Sequence, residues 1–291
     1  MTPSTVDQNR FDHFVERLTE ALGHADRRRP VEAYLTGLLL SGERKSVEPM
    51  AAKIDPLHVS RTHQSMHHFV AKAPWDHPAL LAVARDYGLT QMERHAPIAA
   101  WVIDDTGIPK KGSRSVGVAW QYCGALGKRA NCQVAVSISF ANKTMSVPAA
   151  WRLYLPREWA DAAERRARAG VPAEIVFQEK WRIALEEIDR LLAEDLPSAP
   201  VVADAGYGNT AAFREGLRER GFSYAVGIQR ETTVWPPGEA PLPPARYGGR
   251  GRPPTRIRRS PGHQPVSGAQ LAARLEKSAW RSVRWREGTK G

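Results

Sequence analysis

Along residues 1–95, apolar positions recur at steps of three and four. Phe11, Phe14, Val15, Leu18 and Leu22 make one such stripe, and Val31, Tyr34, Leu35, Leu38 and Leu39 make another. In a helix of 3.6 residues per turn each set falls on one face, so the spacing predicts amphipathic helices. Ser46 is placed to cap a short helix ending at Ile54. Its hydroxyl can accept from an unpaired N–H of the first turn. Residues 61–72 and 78–87 read as two further helices.

The period changes after residue 97. Residues 98–105 (IAAWVIDD) form a short apolar run ending in acids. In residues 132–140, Val134, Val136, Ile138 and Phe140 alternate with smaller or polar residues. That period of two predicts a strand with one buried face. Residues 141–144 (ANKT) look like a hairpin turn, and residues 145–155 return with Trp151, Leu153 and Leu155 alternating. Phe177, Trp181, Leu185, Ile188 and Leu192 then give a helical stripe that Pro197 and Pro200 end. Residues 200–204 (PVVAD) read as a buried strand ending in an acid. Asn209 can cap a helix over 210–220, Gly221 suits its C-terminal turn, and 222–228 reads as a fifth strand.

The predicted order is three strands, helix, strand, helix, strand. That is the order of the ribonuclease H-like fold: an α/β mixed sheet with flanking helices. Here it follows a small all-helical N-terminal domain. The expected division is therefore 1–95 helical and a candidate for DNA binding, 96–234 an incomplete ribonuclease H-like core, and 235–291 a basic Pro/Arg-rich arm and the start of an insertion region. After Trp235 the sequence PPGEAPLPPARYGGRGRPPTRIRRSPG is dominated by Pro, Gly and Arg, with order resuming over 271–285.

Charge sharpens that division. Residues 236–291 hold 12 basic and 3 acidic residues, while residues 1–235 hold 30 and 28, within a net charge of +11 for the chain. A basic segment on a nearly neutral body points to a polyanion, most simply nucleic acid. Arg250, Arg252, Arg256, Arg258 and Arg259 can lie along a DNA backbone or minor groove. Cys123 and Cys132 form neither a CxxC pair nor a disulfide framework, and no apolar run approaches a membrane span. The start lacks a signal-peptide pattern, so the expected location is cytoplasmic.

The chemistry concentrates in two strings, WVIDDTG and VVADAGYGN, whose acids lie 99 residues apart at Asp105 and Asp204. The first and fourth strands of a ribonuclease H-like sheet are neighbours, so these carboxylates can converge. Two close carboxylates repel, and a divalent cation removes that cost. Mg²⁺ or Mn²⁺, with oxygen ligands, can then promote phosphodiester chemistry. His63 and His67 are spaced for a metal on a helix but no third donor completes them. The string GALGK lacks the spacing of a phosphate loop.

The run IDDTGIPKKGSRSVGVAWQYCGALGKRANCQVAVSIS resembles the first catalytic block of DDE transposases of the IS701 group, within the IS4-like superfamily. VVADAGYGNTAAFREGL resembles the second block, and WREGTKG a further family segment. The resemblance implies metal-dependent cutting and joining of double-stranded DNA at the ends of an insertion sequence, with self-association on DNA at the nucleoid. The family's first acid directly precedes Thr, which selects Asp105 over Asp104, and its second matches Asp204. Lys110 and Lys111 then suit phosphate contacts, and Gly206 and Tyr207 shape the loop beside Asp204. The family's third acid, a Glu on a later helix, has no matching block; Glu276 and Glu287 do not fit its pattern. The expectation is a truncated or split transposase. The alternative is an inactive remnant or repressor that binds DNA without cutting it.

Overall fold

The computed structural model describes residues 5–282 apart from Glu43 and Trp75. The segment WREGTKG and Glu287 lie outside the described residues. The chain divides into two compact units, Met1–Pro97 with Thr144–Ala150, and Ile98–Lys143 with Trp151–Gly291.

The first unit is built on helices α1 (Thr5–Ala21), α2 (Arg28–Leu39), α3 (Val47–Ile54), α4 (Val59–Ala71) and α5 (His77–Glu93). Val15, Leu22, Val31 and Phe69 make its core, with Phe11, Tyr34, Leu35 and Leu80 packed against them. Both predicted stripes are therefore helix faces. The second stripe is shorter than its spacing suggests, since Leu38 and Leu39 are exposed. The burial of Gly37 explains why: a Cβ there would stand 2.8 Å from Met50 Cβ, so α2 meets α3 through a glycine and not through its last leucines. Ser46 is the N-cap residue of α3 with extended backbone, but its side chain makes no capping bond.

A six-stranded sheet is built mainly from the second unit, and only the start of its fourth strand, up to Ala150, belongs to the first. Its strands are β1 (Ala100–Pro109), β2 (Ala119–Cys123), β3 (Lys128–Ala141), β4 (Ser146–Leu153), β5 (Val201–Ala203) and β6 (Tyr224–Val226). The order is β2-β3-β1-β5-β6, and β4 also pairs with β3. β1 runs antiparallel to β3, and β5 and β6 follow parallel to it. This is the mixed sheet expected, with β1, β3, β4, β5 and β6 as the five predicted strands and β2 added. β2 escapes the hydrophobic pattern because its large residues point outward. Trp120 and Tyr122 are exposed while Ala119 and Cys123 are buried.

The face of β3 carrying Val134, Val136, Ile138 and Phe140 is fully buried, as its alternation predicts. On β4 the expectation reverses. Trp151 and Leu153 are exposed, and Val147, Ala149 and Ala150 are the buried positions. Three helices follow the antiparallel strands: α6 (Arg157–Ala160), α7 (Ala163–Arg168) and α8 (Lys180–Ala193). The longest, α8, buries Ile183, Ala184, Leu185, Ile188 and Leu191, so its stripe starts later than Phe177 and leaves Leu192 exposed. The buried Glu187 is held by Arg152 and Arg190.

Between β5 and β6 lie a single turn, α9 (Ala205–Gly208), and α10 (Ala211–Glu219). Thr210, not Asn209, is the N-cap of α10. Asn209 Oδ1 instead accepts from Gln229 N at 2.7 Å and Thr232 Oγ1 at 2.8 Å. Gly221 ends that helix at φ +75°, the left-handed turn a glycine provides. Beyond it, β7 (Thr233–Val234) pairs with β8 (Val266–Ser267). The basic segment between them is therefore a loop closed at its base. A capping box, Ser267 with Gln270, then opens α11 (Gly268–Ala273). None of the described helices is long and apolar enough to cross a membrane.

Candidate carboxylate site

The register of three strands brings the aspartates together. β1 pairs with β3 along its whole length, from Ala100↔Ala141 to Pro109↔Cys132. Asp104 and Asp105 therefore sit in mid-strand and not at its end as expected. On the other edge, β1 pairs with β5 only as far as Ile103↔Ala203. β5 stops there, and Asp204 becomes the N-cap of α9, its Oδ1 accepting from Gly206 N at 2.8 Å. The two acidic strings thus converge where β5 turns away from β1.

That turn depends on two glycines. A Cβ on Gly208 would lie 2.0 Å from Gly227 O, and one on Gly227 would lie 2.9 Å from Ala205 N. Any side chain at Gly208 would push α9, and Asp204 with it, off the end of β6.

Adjacent strand residues face opposite ways, so the two acids lie on opposite faces of β1. Asp105 is opposite Val136, on the face of Trp101 and Ile103, while Asp104 is opposite Ser137. Asp105 is gripped on both oxygens. Lys180, the first residue of α8, ion-pairs with Oδ2, and the Tyr207 hydroxyl donates to Oδ1 at 2.7 Å. Lys180 also lies 5.2 Å over the Tyr154 ring. Asp104 takes a different partner, its Oδ1 accepting from Asp105 N at 2.7 Å.

The electrostatics follow. Burial pushes the Asp104 carboxyl up, the Asp105 N–H opposes it, and the charges of Asp204 and Asp105 push it further up. Burial also raises the Tyr207 phenol, and Asp105, Asp104 and Asp204 add to the effect. Tyr207 therefore remains a neutral hydrogen-bond donor in the field of all three aspartates. At 3% exposure it is too deep to lie on a DNA surface. Among the described residues, no three His, Cys, Asp or Glu side chains are gathered closely enough to form a ready metal cage.

Lys180 is a residue of this cluster that the sequence pattern does not reveal. Nothing around it marks it, because its importance comes from where α8 begins relative to β1. Lys110 continues the β1 ladder, its N–H donating to Asn131 O at 2.9 Å, and Lys111 follows in the loop beyond. Arg250, Arg252, Arg256, Arg258 and Arg259 all lie in the exposed loop between β7 and β8. There Arg258 bridges to Leu242, and its Nε donates to Pro243 O at 3.0 Å. His63 and His67 stack on α4 with ring centroids 5.9 Å apart.

Comparison with known proteins places this geometry. A family model described as DDE superfamily endonuclease matches residues 17–291. A probable transposase for insertion sequence element IS701 from Microchaete diplosiphon is 31% identical over 197 residues, covering 67% of this chain and 48% of that protein. The chain thus spans about half the length of the curated relative it matches.

Proposed function

Because this chain belongs to the DDE superfamily endonuclease family, we propose that it cuts and joins DNA at the ends of an insertion sequence, with Asp105 and Asp204 holding a divalent magnesium or manganese ion. What supports this reading is the register of β1 and β5, which pair in parallel as far as Ile103↔Ala203 and so bring Asp204 beside the adjacent acids Asp104 and Asp105, with Asp104 next in register. The donor chemistry suits such an ion. Carboxylate oxygens are hard ligands. Burial raises the Asp104 carboxyl most, and the neighbouring charges of Asp204 and Asp105 add to it; a cation would offset that last part. When bound, the ion would activate a water and stabilise the leaving oxygen of a phosphodiester.

The protein's own side chains do the rest. Lys180 and Tyr207 fix both oxygens of Asp105, so the carboxylate is oriented before substrate arrives. Such supporting contacts hold a ligand in place and tune it. Asp204 is fixed separately by the first turn of α9. In the cutting step a water oxygen bonds to phosphorus, the bond to the 3′ oxygen breaks, and that oxygen takes up a proton to become a 3′-hydroxyl. In the joining step this hydroxyl bonds to a target phosphorus, displaces its 3′ oxygen and loses its proton. Lys110, Lys111 and, in the β7–β8 loop, Arg250, Arg252, Arg256, Arg258 and Arg259 hold the duplexes by their phosphates. The working form is self-associated on double-stranded DNA, at the nucleoid of the cytoplasm. The domain assignments fit this reading: a helical, DNA-binding N-terminal part, the sheet as catalytic core, and residues 235–291 as a basic arm.

A second reading starts from the sequence, in which no block matches the family's third acid, a Glu. In it the chain occupies element ends without cutting them. One experiment separates the two. The full chain is incubated with Mg²⁺ and duplex carrying the element ends, and nicking and binding are measured together. Nicking by the wild-type chain that Asp105→Asn or Asp204→Asn abolishes, with binding retained, supports the enzyme. Equal nicking by both variants overturns the assignment of these aspartates. Binding with no nicking by the wild-type chain favours the second reading.

A further inference from the structure

Beyond the aspartates, β1 delivers the chain into a cationic loop, 110–118, that contains Lys110, Lys111 and Arg114 and no acid. The loop is tied down at several points. Asn131 Nδ2 donates to Lys110 O at 2.8 Å and to Gly112 O at 2.9 Å. Gln133 Nε2 donates to Val116 O, and Arg165 Nη2 donates to Ser113 O at 2.6 Å. All of these bonds go to backbone carbonyls. They fix the path of the loop and leave its cationic side chains available.

Arg165 comes from α7 and is itself preset. Its guanidinium lies 3.7 Å over the ring of Trp159, which is fully buried and donates from Nε1 to Val118 O at 2.8 Å. A guanidinium stacked on an anchored ring loses little freedom when it binds an oxyanion. Arg168 stands three residues on, on the same side of α7, and is 80% exposed. Its contact with Glu164, at 3.9 Å and in full solvent, is too loose to hold it. Together Ser113, Arg114, Trp159, Arg165, Arg168 and Ala169 line an open cavity of about 730 Å³. The lining has three guanidinium groups, one hydroxyl and no carboxylate.

Position adds the second argument. Lys110 lies five residues past Asp105, one residue beyond the end of β1, about 17 Å away at the usual rise. That is roughly half of the ~34 Å turn of a duplex. A duplex seated at the aspartates and running along β1 would present backbone phosphates about half a turn away, near this loop.

We propose that loop 110–118 and α7 form a seat for backbone phosphates of duplex DNA, with Arg114, Arg165 and Arg168 as its contacts. The location rests on the DNA-cutting reading above, but the seat binds DNA whether or not the aspartates cut. Its test therefore uses binding alone. In the full chain, Arg114 and Arg168 are replaced together by Gln; both are exposed, so the fold is retained. Affinity for a duplex is followed by fluorescence anisotropy between about 50 and 200 mM salt. The expected result is weaker binding to all sequences alike, with a logarithmic salt slope shallower by about two, one per lost phosphate contact. A charge-matched control, Lys128→Gln with Lys143→Gln, keeps the wild-type slope. An unchanged slope in the arginine variant overturns the proposal, and so does an equal loss in the control. A loss confined to single-stranded DNA, or competition by inorganic phosphate with no change in duplex slope, assigns the cavity to another ligand and overturns it too.

Discussion

Two regions of the second unit carry most of its charged chemistry, and they are built in opposite ways. Around the aspartates every group has a defined place: Asp105 is held on two oxygens, Asp204 caps α9, and Gly208 and Gly227 leave no room to shift. The β7–β8 loop has five arginines within ten residues, nearly all in solvent, with Arg258 alone among them tied by hydrogen bonds. The contrast follows from what each charge must do. Bond-making at phosphorus needs oxygens placed to a fraction of an ångström. Attraction to a polyanion needs charge of the right sign and tolerates motion. Substitutions should therefore act through geometry in the first region and through charge count in the second.

The largest effect tests the rigid side. Under the proposed function, Asp105→Asn should lower the rate of metal-dependent nicking by on the order of 10³-fold, the scale of losing a preorganised electrostatic contact. Lys180→Met and Tyr207→Phe leave both carboxylates in place and release only their supports. Each should weaken divalent-ion binding about 10- to 100-fold, as loss of supporting contacts does. Calorimetric titration of the full chain with Mn²⁺ reads this directly. Unchanged affinity in both variants would mean that the grip on Asp105 is incidental, and the contrast would lose its first half.

Gly208→Ala probes the same rigidity through packing. Its new Cβ meets a backbone oxygen, which cannot swing aside as a flexible side chain does. A cost of roughly 1–3 kcal/mol is expected from overpacking, read as a lower urea midpoint with an unchanged slope. Replacing Arg250, Arg252, Arg256, Arg258 and Arg259 by Gln should do the reverse. Stability should stay within about 0.5 kcal/mol, as for surface changes generally. Meanwhile the salt slope of duplex binding should fall by about one for each arginine that touches a phosphate. A large drop in melting temperature would show the loop to be structural and would collapse the distinction.

The sequence discloses these regions unequally. Apolar alternation marks β3 because one whole face of that strand is buried, and the acids of WVIDDTG and VVADAGYGN stand out because they interrupt apolar runs. Strand parity puts Asp104 and Asp105 on opposite faces, while the choice of Asp105 rests on the Thr that follows it. Lys180 could not be found in this way, since it meets Asp105 across 75 residues of chain. β2 was hidden because its aromatic residues face outward, and β4 misled because Trp151 and Leu153 alternate on the exposed side. Local pattern reports burial well, but it does not report which elements a helix start or an edge strand will meet. The closure of the basic segment into a loop was hidden for the same reason: β7 and β8 are two residues each, too short to carry a period.

The smallest expected effect bears on whether the aspartate centre is strained by its own charge. The Asp104 carboxyl is raised above its ordinary value by burial and then by Asp204 and Asp105, against the opposing Asp105 N–H. The folded chain therefore holds the Asp104 proton more tightly than the unfolded chain does. Stability from this group is fully present below the unfolded value, near the ordinary 3.8, and is lost as pH rises through the raised folded value. At neutral pH the ionised carboxylate opposes folding. Asp104→Asn removes the charge but keeps a side-chain oxygen for the Asp105 N–H. In metal-free buffer it should raise the melting temperature at pH 7 by an amount worth less than about 1 kcal/mol, because the group still meets solvent. The gain should vanish below about pH 4, where the wild-type carboxyl is also neutral. Thermal unfolding of both chains across that range decides it. A variant no more stable than wild type at pH 7 would mean that fixed neighbours already neutralise Asp104. The aspartate centre would then differ from the arginine loop in geometry alone, without the added cost of crowded like charge.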